Sequence, residues 1–356
     1  MSNFTTHALR RTPCLFGLVL LTACGSDSAV VGPPVGVDPL YNQIVFDSDR
    51  DDLNRDVYAM NLDGSGVRRL TNSPFADFCP AVSPDGYRIA FYSSRQGDRL
   101  ALYIMLADGA DVRYVEGPVR SDVCPRWSAS GNRVLFQRPA QGASASTTTV
   151  ETATYDGSSV LRAVPEAVIP YADLSPDGAN VLLARRVDND PSLTGIFIRS
   201  PIGNEAAINY EGWGPVSWSP DGKTVAYLCS ALPPPKLNGT TALCLASPDG
   251  TSARKIDTGI SYIECQGLEW SPDSKTVICP GINGRIFDVE AGTATEFSVP
   301  TIGSVRWFGD NRRIAFVLPT TFEKWDVWIA ASDGSGEVNL TNNSADDEHP
   351  SVGPLH

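Results

Sequence analysis

Three aspartates at alternate positions, Asp47, Asp49 and Asp51 in the run DSDRDDLNRD, offer oxygen ligands close together in the chain. A hard cation such as calcium needs several oxygens that converge, and alternate aspartates in a loop can supply them. The glycine and closing glutamate of a helix–loop–helix calcium site are missing, so the run also reads as a solvated hairpin. Nucleophilic chemistry has thinner support. Downstream of residue 24 the histidines are His349 and His356, too close to one end to furnish a dispersed triad or a His-rich metal site. No G-x-S-x-G string occurs, and the one Gly-Lys pair, Gly222–Lys223, has Ser217 where a phosphate loop needs glycine. Paired carboxylates for glycoside chemistry stay open, because 41 acidic residues spread over loops can place two at a working separation.

Residues 1–23 are expected to be an export signal: Arg10 and Arg11 precede the apolar run CLFGLVLL, which is too short to span a bilayer. The following LTAC resembles the bacterial lipobox, which implies cleavage after Ala23 and a lipid on Cys24. Gly25 in place of aspartate implies, by the same resemblance, sorting to the outer membrane. Residues 24–42, rich in Gly, Pro, Ser and Val, read as a flexible tether. Removing the signal removes two arginines and no acid, taking the net charge from −13 to −15 and making nucleic acid an unsuitable partner. An oxidising compartment makes disulfides the expected state of Cys79, Cys124, Cys229, Cys244, Cys265 and Cys279. Cys79 and Cys124 each precede Pro at equivalent places, Cys229 and Cys244 fall on adjacent strands, and Cys265 and Cys279 flank one hairpin. These pairings are plausible, although sequence leaves the connectivity open. Zinc is disfavoured by the lack of C-x-x-C spacing.

What must position these groups is a repeat. The run NQIVF at residue 42 recurs as YRIAF, NRVLF, ANVLL, KTVAY, KTVIC and RRIAF, with third positions at Ile44, Ile89, Val134, Val181, Val225, Val277 and Ile314. Intervals of 37–52 residues are those of propeller blades. Six copies follow a tight turn such as SPDG, preceded in turn by Val82, Trp127, Leu174, Trp218, Trp270 or Trp307, and two further strand signals follow each copy. The first copy has no strand and turn ahead of it. The C-terminal EHPSVGP supplies that strand, because a ring leaves unpaired edges unless its two ends share one blade. The expected architecture is all-β: one seven-bladed β-propeller over residues 43–354, closed by a C-terminal strand that completes the N-terminal blade.

The succession SPDG, YRIAFYSSR, ALYIMLADG resembles the TolB-like (WD40-like) propeller repeat, over essentially all of the chain after the tether. That resemblance implies the fold and leaves activity open. Register from the turns puts Asp77, Asp122, Ile169, Trp213, Cys265, Ile302 and Asp347 at one level, where each blade's innermost strand begins. Phe78, Tyr171, Tyr262 and His349 lie in the same loops. Three successive blades thus offer acids beside aromatics, which suits a basic or amphipathic protein segment. The sequence reads as a lipid-anchored, non-enzymatic, monomeric envelope propeller that binds a protein or peptide, on the outer membrane and facing the periplasm. A carbohydrate-active or cell-wall enzyme using carboxylates at the same mouth, and a small-ligand or metal sensor, are the alternatives.

Overall fold

The repeated apolar run becomes the second strand of every sheet. The computed structural model describes residues 33–355 apart from 52–53, 98, 140–147, 168–170, 188–189, 201–202, 210–211, 231–239, 262, 298, 300–304 and 322–323. Among the described residues there is no helix, and the strands form seven four-stranded antiparallel sheets. Six blades use four consecutive strands; blade 2 runs Asp77–Val82, Arg88–Ser93, Ala101–Leu106 and Arg113–Glu116. Blade 1 is composite. It takes Gln43–Ser48, Asp56–Asn61 and Arg68–Arg69 from one end of the chain and Asp347–Val352 from the other. The closing strand pairs Ile44 with Val352, Val45 with Ser351, Asp47 with Glu348 and Ser48 with Asp347, with a register shift between Val45 and Asp47.

Continuous apolar runs, rather than alternating ones, mark the second strands because each blade packs on both faces. Ile44 and Phe46 enter the core shared with Ala315 and Val317 of blade 7, while Val45 between them packs with Ile89 and Phe91 of blade 2. Each fully buried side chain of this kind contributes about 1.5–3 kcal/mol. Tryptophans ahead of the turns also link neighbours: Trp127 Nε1 donates to the Ala81 carbonyl at 2.9 Å, and Trp307 Nε1 to that of Glu269 at 3.1 Å. The turns are locked from within. In SPDG the serine hydroxyl donates to the aspartate, at 2.6 Å for Ser175–Asp177 and 2.7 Å for Ser219–Asp221. Gly86, Gly178 and Gly222 then take φ of 77°, 71° and 76°, a left-handed conformation that Ser274 and Asn311 adopt in blades 6 and 7.

The expected signal, Cys24 and residues 25–32 of the expected tether lie outside the described residues. The tether's last residues differ from the expectation. Leu40 is fully buried in the core between blades 1 and 2, its amide donates to the Gly86 carbonyl at 2.9 Å, and the Asn42 amide donates to Pro354 at 3.0 Å. An apolar residue within reach of a blade core gains more from burial than from staying solvated, so the segment docks. Three disulfides join the expected pairs: Cys79–Cys124 between blades 2 and 3, Cys229–Cys244 within blade 5, and Cys265–Cys279 within blade 6.

Candidate functional site at the axial cavity

The seven innermost strands converge on the propeller axis, and their side chains form levels along it. A cavity of about 460 Å3 runs there, with Asp122, Cys124, Tyr171, Glu348 and His349 toward the mouth and Arg126, Glu269 and Arg306 deeper in. Blades 3 and 6 stand on opposite sides of the ring, so the Arg126–Glu269 contact at 3.4 Å spans the axis. Arg306 of blade 7 reaches the same Glu269 at 2.7 Å, and Arg126 also lies 3.8 Å from Asp173 of blade 4. Glu269 raises the Arg126 pKa against the cost of burial. Burial, joined by repulsion from Arg126, lowers that of Arg306. Burial raises Asp173, although Arg126 and the Trp218 amide, 2.9 Å from its carboxylate, act the other way. Sequence reasoning missed this level. Its signal was a charge just before the pre-turn residue, in RW at 126, DL at 173, EW at 269 and RW at 306.

The mouth acids need correction. Asp77 and Asp347 are fully buried rather than exposed. Each is held at 2.7 Å by an arginine from just beyond the second strand of its own blade, Arg95 for Asp77 and Arg50 for Asp347. Arg50 stacks on Phe46 and Tyr58, 4.9 and 5.0 Å from the ring centres, and Arg95 sits likewise over Phe91 and Tyr103. The acid, the arginine and the two rings are one clamp repeated in two blades. Blade 3 has Ala140, outside the described residues, where the clamp needs arginine, and there Asp122 turns outward with 56% of its side chain exposed and pairs with Arg120. Arg120 draws the Asp122 pKa below its usual range. Of the aromatics, Phe78 is half-buried edge-on to Tyr92, Tyr171 lines the cavity, and Trp213 is 40% exposed. Tyr262, Ile169 and Ile302 lie outside the described residues.

The aspartates read as a calcium set also part company. Buried Asp47 accepts from Arg55 at 2.6 Å, from the Cys79 amide at 3.0 Å, and contacts His349 Nδ1 at 2.8 Å. Asp49 binds Lys324 at 3.1 Å and the Asp346 amide at 2.7 Å, while Asp51 accepts from the Tyr58 hydroxyl at 2.8 Å. Their oxygens serve separate protein donors and do not converge, so the alternate spacing does not build a shared cation site. What the ring assembles instead is an ion cluster across its seam. Arg55 binds Asp47, Asp346 and Glu348, joining the first residues of the propeller to the last. Burial alone would raise the Asp47 pKa, but His349 and Arg55 outweigh it and hold it down. Burial would lower that of His349, but Asp47 prevails and raises it.

Seven four-stranded blades around an axial cavity define a β-propeller. Residues 30–205 match the family described as the TolB beta propeller domain. That segment, just under half of the chain, carries TolB-like β-propeller repeats. TolB from Acinetobacter baumannii superposes with a TM-score of 0.51 at 14% identity, covering 90% of this chain and 69% of that one. An oligogalacturonate lyase in complex with manganese gives 0.59 at 14% identity over 82% and 86% of the two chains. A puromycin hydrolase also gives 0.59 at 14%, with 88% of this chain matching 54% of the hydrolase. Identities this low carry the fold alone. Among curated proteins, none matches the sequence.

Proposed function

We propose that this protein is a lipid-anchored, non-enzymatic propeller of the bacterial envelope that captures a protein or peptide segment at the mouth of its axial cavity. The observation that carries the reading is the cavity of about 460 Å3, with Asp122 and Tyr171 on its wall. Trp213 is exposed, and it precedes its pre-turn Trp218 by the same spacing as Asp122 precedes Trp127. An aromatic rim beside an outward carboxylate suits an amphipathic segment with a basic residue. The deeper Glu269 is taken up by two arginines, which favours binding over carboxylate-pair hydrolysis.

Crosslinking in intact envelopes, followed by capture of the protein, tests this. Trp213→Ala combined with Tyr171→Ala is expected to weaken capture of the crosslinked partner about 10-fold or more. Asp122→Lys is expected to weaken it a few-fold and flatten its salt dependence. Glu290→Lys, on a turn at the other end of the blades, is the control. If that control abolishes capture and the mouth variants do not, binding belongs to the opposite face.

The envelope location rests on the export signal and LTAC. Cys24→Ser is expected to move the protein from the membrane fraction into the soluble periplasmic fraction. Retention of the processed variant on the outer membrane would refute the anchor.

A further inference from the structure

His349 and Cys79 lie on the innermost strands of blades 1 and 2, Cys124 stands at the same repeat position just ahead of that of blade 3, and each is followed by proline: Pro350, Pro80 and Pro125. Cys79 and His349 both adopt left-handed backbone, with φ of 56° and 50°. In both blades the pairing register also shifts beside these residues. The sulfurs of Cys79 and Cys124 and a ring nitrogen of His349 lie within 4.8 Å of one another. The imidazole is oriented from behind: Nδ1 meets buried Asp47 at 2.8 Å, and Asp47 is itself fixed by Arg55 and by the Cys79 amide. A carboxylate accepting from Nδ1–H leaves the Nε2 lone pair available, the arrangement that prepares a histidine for a metal. Among the three disulfides, Cys79–Cys124 is the one with a member on the cavity wall, since Cys124 is half-buried and lines it. Cys229, Cys244, Cys265 and Cys279 are all buried.

We infer that reduction of the Cys79–Cys124 disulfide converts this level into a Cys2His site for a thiophilic divalent cation of the zinc class, with its fourth position open to the axial cavity. A dithiol donor delivers two electrons and two protons to the sulfur–sulfur bond and closes to its own disulfide. The cation then displaces both thiol protons to solvent, and two thiolates with a neutral imidazole balance its charge. The oxidised form links blade 2 to blade 3. The metal form links both to His349 on the strand that closes the ring. Local spacing rules overlook such a set because its cysteines stand 45 residues apart and its histidine comes from the far end of the chain.

The test uses the mature protein reduced with a water-soluble phosphine, which takes one oxygen from water and leaves two thiols, then freed of reductant without air. Titration with Co2+ is expected to give one equivalent with thiolate-to-metal charge-transfer absorption, displaced by Zn2+. The unreduced protein should give none. Cys79→Ser and Cys124→Ser are each expected to abolish the band, His349→Gln to weaken Co2+ binding at least about 10-fold, and Cys229→Ser with Cys244→Ser to leave it intact. Circular dichroism establishes that each variant is folded. A band that persists in Cys79→Ser, an unchanged affinity in His349→Gln, or no band from folded protein with thiols shown free at Cys79 and Cys124 would each overturn the site, as would a Cys79–Cys124 bond that resists reduction in the folded protein.

Discussion

Deleting residues 348–356 is expected to leave a chain that no longer melts as a cooperative ring at ambient temperature. The truncation removes most of the strand paired with Gln43–Ser48, including the Val352 and Ser351 partners of Ile44 and Val45. It also removes Glu348 and His349, so Arg55 loses one carboxylate and buried Asp47 loses one of its two cationic neighbours. Lost ladder bonds cost about 0.5–1.5 kcal/mol each, and breaking a buried ion cluster a further 3–5 kcal/mol or so. The sum rivals the roughly 5–15 kcal/mol that holds an entire domain. Thermal melts followed by circular dichroism, with gel filtration for compactness, measure it. Deleting residues 25–34 should change the melt far less. A truncated chain that melts within a few degrees of the full one would show that the seam does not hold the ring.

Asp47→Ala is expected to be the most costly single substitution in the seam, at about 3–5 kcal/mol, because it leaves His349 and the Cys79 amide facing a buried gap and takes from Arg55 one of its three carboxylates. The same contacts set a pH window. The Asp47 pKa is depressed, so its stabilisation is present above the ordinary carboxylate value of about 4 and fades as pH falls through the folded value. The His349 pKa is raised, so its contribution is complete below about 6.5 and fades as pH rises through the folded value. Both act together between about pH 4 and 6.5, where urea unfolding should show greatest stability. His349→Gln should flatten the decline on the alkaline side. Parallel profiles for wild type and His349→Gln from pH 5 to 9 would mean that the pair contributes nothing to folding.

The ring and its seam were legible because they rest on periodicity: one apolar run, one turn and a missing first strand fix the number of blades and the role of EHPSVGP. The same register made the three cysteine pairings plausible but left the connectivity open, and the structure supplied it. The site was legible in position and not in environment. Asp77 and Asp347 hold equivalent places in blades 2 and 1, opposite Ser93 and Ser48, but whether each faces water depends on an arginine just beyond the neighbouring strand, Arg95 or Arg50. That comparison was available in the repeat. The Arg126–Glu269–Arg306 contact and the Arg55 cluster were harder to foresee, since both arise only when distant blades face one another across the axis or the seam. Alternate spacing of Asp47, Asp49 and Asp51 misled for a related reason, as each carboxylate answers to a cation or donor outside the run.

The pairing of the two chain ends also fixes how the molecule yields to tension. Ile44, near the start of its strand, lies opposite Val352, the end of the closing strand, so both ends leave the blade on the same side. A pull between them loads that pair first and opens the seam bond by bond, as a zipper parts, instead of shearing all its hydrogen bonds at once. Resistance would rise only at the far end, where Arg55 ties Asp47 to Glu348. Mechanically, the blade that completes the ring is its release point, while the Cys79–Cys124 crosslink keeps blades 2 and 3 together after it gives way.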